Sequence, residues 1–207
     1  MDNYLAEGIA LIEAGQYDAA VETLTKAIRL TIGDLAEAYY QRGLAHGALE
    51  RYQLAIEDFS QAIAKNPVFA DAYNERGNAY RFLGRDDFAL ADYDSALILD
   101  PYHVPALYHR ALIHNARGEA RLVVADLDRA LALDPSIASA YELRGQAYAA
   151  LGDTTRAIDD LERYLRMGGG RLYDNHSETQ SLIISLRLRR WLKRLRPRLR
   201  RARQDAR

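Results

Sequence analysis

The stretch RGNAY at residues 76–80 returns as RGQAY at residues 144–148, two periods of 34 residues further along the chain. Further copies appear when the chain is aligned at this period, and the first small residues of the copies are Gly8, Gly43, Gly77, Ala111 and Gly145. Their spacings are 35, 34, 34 and 34 residues. A fixed period of this length is typical of proteins built from stacked structural repeats. The sequence therefore predicts five repeat units between residue 1 and about residue 170.

Each repeat unit contains two segments in which apolar residues recur at helical spacing, separated by a short breaker. The breakers stand at Gly15, Glu50, Gly84, Gly118 and Gly152. Units two to four close at Pro67, Pro101 and Pro135, and proline disfavours helix in the residue before it. No unit shows the alternation of a β-strand. We therefore predict an all-α chain of helix–turn–helix units.

Small and large residues recur at fixed positions when Gly8 and its counterparts are numbered as position 8 of their units. Position 20 holds Ala20, Ala55, Ala89, Val123 and Ala157, and position 24 holds Leu24, Phe59, Tyr93, Leu127 and Leu161. Small residues let two antiparallel helices approach closely, and large residues fill the gaps beside them. The pattern predicts close packing within each helix pair.

The period, these positions and the closing prolines resemble the tetratricopeptide repeat family over about four fifths of the chain. The resemblance implies a right-handed α-solenoid of five tetratricopeptide helix–turn–helix units plus a C-terminal capping helix. The units would span about residues 1–35, 36–69, 70–103, 104–137 and 138–170, with the capping helix and a basic tail in residues 171–207. Position 27 is normally small in this family. Tyr164 at this position therefore predicts that the fifth unit meets something other than a sixth identical unit.

An arginine and an aspartate recur together in units two to five. Position 7 holds Arg42, Arg76, Arg110 and Arg144, and position 23 holds Asp58, Asp92, Asp126 and Asp160. Unit one has Glu7 and Thr23 instead. Both positions lie at similar distances from the turn, so antiparallel helices bring them to the same level. We predict four ion pairs within the repeats that stabilise the fold; a charged ladder that binds a ligand is the alternative.

The residues predict neither catalysis nor a cofactor. No cysteine occurs, which excludes disulfides, thiolate metal sites and cysteine nucleophiles. The histidines are scattered, and His46 and His114 occupy a position where other units have tyrosine, so we interpret them as core or near-core residues. No phosphate-binding loop or nucleophile elbow is present, and MGGG at residues 167–170 is typical of a helix end. We predict a protein that is not an enzyme and holds no metal.

By resemblance to the family, the first helix of each unit faces a concave groove that holds an extended peptide or a helix of another protein. The residues that we predict for this partner-binding groove are Tyr40, Leu44, Asn74, Asn78, Arg81, Phe82, Tyr108, Leu112, Asn115, Glu142 and Gln146. Asn74 and Asn78 lie four residues apart on one face, and their amides can hold a peptide backbone as donor and acceptor. Tyr40, Phe82 and Tyr108 would add aromatic anchors. The alternative is that these side chains are merely tolerated in the groove.

One subgroup of the family clamps the C-terminal carboxylate of chaperones with Lys, Asn and Arg side chains. The corresponding positions here hold Leu5, Ile9, Tyr40, Asp71 and Glu75, or, one unit later, Tyr40, Leu44, Asn74, Pro105 and His109. The clamp is absent, so the sequence disfavours an adaptor for chaperone tails.

The charge is divided unevenly along the chain. Residues 187–207 contain 11 of the 28 Lys and Arg residues but only one of the 29 Asp and Glu residues, which gives this segment +10 and the preceding residues −11. Such asymmetry indicates a basic appendage for an acidic partner, and the acidic body favours a partner with a basic or neutral surface. We predict a basic C-terminal patch formed by Arg187, Arg190, Lys193, Arg194, Arg196, Arg198, Arg200 and Arg201.

The residues after Gly170 predict one more helix. Ser177 with Gln180 three residues later is a capping box that would begin it, and Pro197 would end it. This helix is interpreted as a cap on the last unit up to about residue 190. The arginines beyond would contact anionic lipid as part of an amphipathic helix, or nucleic acid through its phosphates, or the acidic body of another copy of the chain.

The sequence therefore predicts a non-catalytic interaction scaffold, adaptor or assembly factor that binds another protein in its concave groove. The alternative is a module recruited to anionic membrane or nucleic acid by its arginine-rich C-terminus, and self-association is a third hypothesis. The first residues carry acids and lack both a basic leader and a long apolar run. We expect a cytoplasmic protein, with a peripheral position at a membrane surface under the alternative.

Overall fold

The computed structural model describes residues 4–30, 34–169 and 175–205, with side chains up to Lys193. The helices are α1 (Tyr4–Glu13), α2 (Tyr17–Arg29), α3 (Leu35–Ala48), α4 (Tyr52–Lys65), α5 (Ala70–Phe82), α6 (Asp86–Leu99), α7 (Val104–Ala116), α8 (Ala120–Leu133), α9 (Ala138–Ala150), α10 (Thr154–Arg166) and α11 (His176–Asp205). No strand occurs in these ranges. The prediction of an all-α chain of paired helices is confirmed.

The chain divides into two compact units, residues 1–110 and residues 111–207, and the division falls within α7. In the first unit, α1 packs on α2, α3 on α4 and α5 on α6, and α2–α3 and α4–α5 contacts join successive pairs. In the second unit, α9 packs on α10, α8 contacts α9, and α11 packs on α10. Within each compact unit, the helices named here therefore pack on their neighbours in the chain, as expected for stacked repeats.

The small residue at position 8 and the large residue at position 24 pack together, as the sequence predicts. A Cβ atom added at position 8 would lie too close to the opposing side chain in four units: Gly8–Leu24 at 2.5 Å, Gly43–Phe59 at 2.6 Å, Gly77–Tyr93 at 2.7 Å and Gly145–Leu161 at 2.9 Å. The glycines thus set the distance between the two helices in these four pairs.

The turn inside each unit needs one residue in the left-handed conformation. Gly84 has a φ of 70° there, and Arg85 N–H donates to the carbonyl of Tyr80 to close the helix end. In the second repeat the same place is taken by Glu50, with a φ of 58°. A residue with a Cβ adopts this conformation less readily than glycine does. The turn at Glu50 therefore has the same backbone geometry as the others, but its sequence lacks the glycine that marks them.

The C-terminal helix α11 covers the last repeat. Ile183 and Leu186 of α11 are buried and pack in one cluster with Tyr148, Ile158 and Leu161 of α9 and α10. Burying side chains of this size contributes roughly 1.5–3 kcal/mol each. The predicted capping role therefore has a packing basis in the structure.

Tyr164, the large residue at a normally small position, faces the segment before α11. Its ring is fully buried against Gly169, and its hydroxyl donates to Oδ1 of Asn175 at 2.8 Å. Asn175 Nδ2 in turn donates to Glu142 at 2.6 Å. The fifth unit therefore meets the entry to α11 at Tyr164, where another repeat would need a small residue.

Two predicted boundaries of α11 are wrong. The helix begins at His176 instead of after a Ser177 cap, because the Asn175 carbonyl already accepts from the N–H of Thr179. It also runs through Pro197 to Asp205. Proline in a helix costs about 3 kcal/mol, but arginine and leucine, which are good helix formers, surround it on both sides. None of the helices in the described ranges has the length and apolarity needed to cross a bilayer.

Candidate functional site

A cavity of about 170 Å³ opens between α3, α4 and α5 of the first compact unit, residues 1–110. Its lining residues are Leu44, Gly47, Ala48, Tyr52, Phe59, Glu75, Asn78, Ala79 and Phe82. Leu44, Asn78 and Phe82 belong to the groove predicted from the sequence. A cavity of about 150 Å³ in another protein holds benzene, so this one has the size to receive a single large side chain.

The aromatic wall of the cavity is already assembled. The ring of Phe82, which is 57% exposed, stacks on Tyr52 with centroids 4.8 Å apart and planes 9° from parallel. The guanidinium of Arg81 lies 4.7 Å from the centroid of Phe82. Phe59 is buried and contacts Tyr40 at a centroid distance of 5.8 Å. Because these contacts hold the rings, an incoming side chain would not have to order them.

One carboxylate, that of Glu75, lines this apolar cavity. Its Oε1 accepts from Nδ2 of Asn74 at 2.7 Å, and its Oε2 accepts from Nδ2 of Asn78 at 3.1 Å. The other end of the Asn78 amide is also fixed, because its Oδ1 accepts from the hydroxyl of Tyr93 at 2.8 Å. The two asparagines therefore orient the carboxylate. We call Asn74, Glu75, Asn78 and Tyr93 the α5 polar cluster.

The electrostatics around the α5 polar cluster reflect burial. Burial raises the pKa of Glu75, and the hydrogen bonds from Asn78 and Asn74 act in the opposite direction. Burial also raises the pKa of Tyr40, and the negative charges of Glu75, Asp71 and Glu37 raise it further. On the Tyr40 side of the cavity, therefore, three carboxylates act on one hydroxyl.

The expectation that Asn74 presents its amide to a peptide is wrong. Asn74 is 1% exposed, its Nδ2 is bound to Glu75, and its Oδ1 lies 3.1 Å from Nδ1 of His109. His109 from α7 covers it, and burial, followed by the positive charges of Arg81 and His103, lowers the pKa of His109 to about 4. Asn74 therefore positions Glu75 from inside the protein.

The other predicted groove residues differ in their surroundings. In the first compact unit, three of them are half-buried: Tyr40, Arg81 and Tyr108. The ring of Tyr40 packs on that of Phe69 at a centroid distance of 4.7 Å. In the second compact unit, Leu112 is half-buried, Asn115 and Gln146 are exposed, and Glu142 accepts a hydrogen bond from Asn175. The cavity is lined by three of the predicted residues, Leu44, Asn78 and Phe82, and Tyr40 and Arg81 contact rings that line it.

Glu75 is the residue that sequence reasoning missed. Unit position 6 holds Ala6, Gln41, Glu75, His109 and Leu143. An acid appears there in one unit only, between two asparagines at positions 5 and 9. That departure from the repeat pattern is the signal that could have identified it.

The recurring arginines have a structural role. Three predicted pairs are present, each with two nitrogens of the arginine donating to both carboxylate oxygens: Arg42–Asp58, Arg76–Asp92 and Arg144–Asp160, at 2.6–2.9 Å. In addition, Nη1 donates to position 25 of the preceding unit: Arg42 to Thr25, Arg76 to Ser60, Arg110 to Asp94 and Arg144 to Asp128. The arginine therefore links successive repeats. The fourth pair, Arg110–Asp126, joins residues of the two compact units and stays a prediction.

Helix α11 exposes a second surface, which we call the α11 apolar stripe. It consists of Ile184, Leu188 and Trp191, which are 64%, 53% and 56% exposed. Arg187 beside the stripe donates to Glu162 of α10. Of the predicted basic patch, Arg187, Arg190 and Lys193 lie on the described part of α11, and the side chains of Arg194, Arg196, Arg198, Arg200 and Arg201 lie outside the described residues.

Family comparison agrees with this architecture. One model, described as tetratricopeptide repeat, matches residues 36–69 and 70–103, and a second with the same description matches residues 5–46 and 110–171. A search of curated proteins gave no match.

Solved structures show the same fold at low identity. A MamA fragment from Desulfovibrio magneticus RS-1 is 19% identical with a TM-score of 0.70, over 80% of this chain and 93% of that one. YrrB is 20% identical with a TM-score of 0.67, over 84% and 90%. A thermophilic protein of Thermus thermophilus is 23% identical with a TM-score of 0.62, over 90% and 98%.

Proposed function

The chain belongs to the tetratricopeptide repeat family, and from this premise we propose that it is a non-catalytic scaffold that holds a segment of a partner protein. The observation that carries the proposal is the cavity between α3, α4 and α5, with its stacked Tyr52 and Phe82 and its single carboxylate. An exposed aromatic residue that is already fixed in position is typical of the anchor points of protein interfaces. The chain would act as an adaptor or assembly factor.

The proposed ligand is a peptide segment. The cavity takes one side chain, and the half-buried and exposed residues of α3 and α5 would contact the rest of an extended chain. The solved structure of YrrB is described as that of a protein with an unusual peptide-binding site. Because that neighbour shares the fold at 20% identity, its description supports the class of ligand and leaves the sequence of the ligand to experiment.

Affinity capture with a matched pair of variants tests this proposal. The full chain, Phe82→Ala and Phe88→Ala would each serve as bait in nuclease-treated native extract. Phe88 is a suitable control because it is 54% exposed, as Phe82 is 57% exposed, but it lies on α6 and does not line the cavity. We expect a partner protein to be retained by the full chain and by Phe88→Ala and lost by Phe82→Ala. Retention by Phe82→Ala would place the interaction elsewhere.

A second candidate function is recruitment to an anionic membrane, and the α11 apolar stripe favours it. Ile184, Leu188 and Trp191 recur at helical spacing on one exposed face, beside Arg187 and Lys193. A helix with apolar and basic residues arranged in this way can lie in the headgroup region of a bilayer. Under this hypothesis the repeats would serve as the support for α11.

Tryptophan fluorescence separates the two candidates. Trp191 is the only tryptophan, so its emission reports on α11 alone. Vesicles with one quarter phosphatidylglycerol should shift the emission to shorter wavelength if α11 inserts, whereas vesicles of phosphatidylcholine should not. No shift with either vesicle, together with capture that depends on Phe82, would assign the function to the cavity.

A further inference from the structure

We infer that the cavity between α3, α4 and α5 selects an arginine side chain of the partner, with Glu75 as the residue that determines this specificity. The inference rests on the proposed function, because it names the side chain that the scaffold would receive.

The hydrogen bonds of Glu75 leave room for two further donors. A carboxylate has about four acceptor sites, two on each oxygen. Asn74 occupies one site on Oε1, and Asn78 occupies one site on Oε2. Within the part of the chain that the structure describes, one acceptor site therefore remains on each oxygen. A guanidinium presents two parallel N–H groups to a carboxylate, whereas the lysine ammonium is a single point charge, so the free sites match arginine better.

The walls of the cavity suit the remainder of an arginine side chain. Leu44, Ala79 and the rings of Phe59 and Phe82 line the space beside Glu75. Arginine buries its apolar stem along such surfaces while its charged head reaches a polar partner. A purely apolar side chain would pack against the same walls but would donate no hydrogen bond to the carboxylate of Glu75.

Charge also favours a cation. The nine lining residues in the described part of the chain include no lysine, arginine or histidine. Arg81 is not one of the lining residues; its guanidinium lies against the ring of Phe82, and its positive charge acts on Tyr93 and His109 at the other side of the α5 polar cluster. Asp71 and Glu37 add negative charge near Tyr40, where they act on the hydroxyl together with Glu75. An arginine entering the cavity would therefore meet a carboxylate in a partly desolvated site, where charged hydrogen bonds are strong.

The α5 polar cluster has its carboxylate at position 6, an arrangement of one repeat only. The amide-bound carboxylate of the fifth repeat, Glu142, stands at position 5 and is bound by Gln146 and by Asn175 at the entry to α11. At the position of Asn78 the other units have Ile9, Leu44, Leu112 and Gln146. A structural interaction would be expected in every repeat. The cluster also places asparagine, a poor helix former, twice within α5, which indicates a role other than helix stability.

Two pentapeptides that differ in one charge test the inference. The probes are acetyl-Gly-Ala-Arg-Ala-Gly-amide and the same peptide with citrulline, which has the shape of arginine without its charge. Each is titrated into the full chain, and binding is followed by NMR through the methyl signals of Leu44 and Ala79. We expect the arginine peptide to bind at least about tenfold more tightly, with shifts at both methyl groups.

Variants assign the preference to Glu75. Glu75→Gln should reduce the difference between the two peptides to less than about twofold, and Glu75→Asp, which keeps the charge on a shorter side chain, should retain part of it. Glu57→Gln is the matched control, because it removes the same charge from an exposed position of α4 and should leave the tenfold difference unchanged. Thermal unfolding of each variant checks that the first unit is folded.

Each outcome decides the matter. Equal binding of the arginine and citrulline peptides, or an unchanged preference in Glu75→Gln, overturns the inference and leaves the scaffold proposal standing. A lysine peptide that binds as tightly as the arginine peptide overturns the preference for a guanidinium. If neither probe nor a random peptide library shifts the methyl signals of the cavity, both the inference and the proposed peptide site fail.

Discussion

Two charged arrangements in the third repeat differ in how often they recur along the chain. The pair Arg76–Asp92 has counterparts in other repeats, such as Arg42–Asp58. The α5 polar cluster, with its carboxylate at position 6 between asparagines at positions 5 and 9, has none at the same positions. The comparison shows that an interaction repeated in successive units serves the stacking of the array, because every unit faces the same packing problem. A polar group that breaks the repeat in one unit must have a reason that belongs to that unit alone.

The two arrangements also differ in their effect on stability. Asp92 is 5% exposed, and Arg76 satisfies both of its oxygens at 2.7–2.8 Å. Glu75 is bound by neutral amides, and burial raises its pKa. A half-buried carboxylate whose hydrogen bonds among the described residues come from neutral amides is unfavourable in the free protein. Such a site is consistent with residues kept for binding at some expense of stability.

The largest expected effect comes from breaking a repeated pair. Arg76→Met would leave the Asp92 carboxylate buried without its cation and would also remove the bond to Ser60 of the preceding repeat. We expect a loss of roughly 3 kcal/mol in the free energy of unfolding, measured as a lower urea midpoint. Lys65→Met, at an exposed position of α4, is the control and should change the midpoint little. An unchanged midpoint in Arg76→Met would show that the repeated arginine–aspartate pair does not stabilise the fold.

The next effect concerns His109, which covers the α5 polar cluster. Its pKa is about 4 in the folded chain and about 6.5 when exposed, so the folded state binds fewer protons than the unfolded state between these values. Stability from this group is complete above pH 6.5 and is lost as the pH falls towards 4, by on the order of 3 kcal/mol. Glu75 has the opposite sign, because its raised pKa removes stability as the pH rises above its ordinary value.

Urea midpoints between pH 4 and pH 7 isolate the histidine when the native chain is compared with His109→Gln. Glutamine keeps a donor for the Oδ1 of Asn74 but does not titrate. The difference in stability between the two proteins should shrink as the pH falls. A difference that stays constant would mean that the pKa of His109 is the same in the folded and unfolded states, as for a surface histidine. The polar cluster would then be open to solvent.

Much of the fold follows from the sequence because repetition averages out local exceptions. Five copies of a small residue facing a large one predict the helix pairs even where Glu50 replaces a turn glycine. The pairing of Arg76 with Asp92 follows from their joint recurrence. The second bond of Arg76, to Ser60 of the preceding repeat, could not be predicted, because it depends on how one pair of helices is rotated against the next.

The candidate site was harder to predict for the same geometric reason. Adjacent residues of a helix point about 100° apart, so a small rotation of α5 decides whether Asn74 or Glu75 faces the cavity. The family pattern names Leu44 and Phe82, which line the cavity, but also Asn74, which is buried because His109 from the next helix lies against it. In α11, Pro197 did not end the helix, because a local rule gave way to the helix-forming residues on both sides.

A smaller effect is expected from a methyl group added where two helices touch. In Gly77→Ala the new Cβ would lie 2.7 Å from the ring of Tyr93 and 3.2 Å from the carbonyl of Ala89. We expect a loss of about 1–3 kcal/mol from overpacking, measured by urea unfolding. The backbone oxygen cannot move aside as a flexible side chain could. Unchanged stability would show that α5 and α6 are less tightly packed than the structure indicates.

The smallest effect on stability should come from the same substitution one helix pair earlier, at Gly47. This residue lies within α3 and lines the cavity, and a Cβ added there would have no atom within 4 Å. Gly47→Ala should therefore raise stability by about 0.5–1 kcal/mol, because alanine is the better helix former. The methyl group would also narrow the cavity, so the arginine peptide should bind roughly three- to tenfold more weakly, equivalent to about 0.7–1.4 kcal/mol. Urea unfolding and the NMR titration on the same sample measure both. Gain of stability with loss of binding would separate the packing role of the repeat from the recognition role of the cavity, whereas unchanged binding would show that the peptide does not enter the cavity.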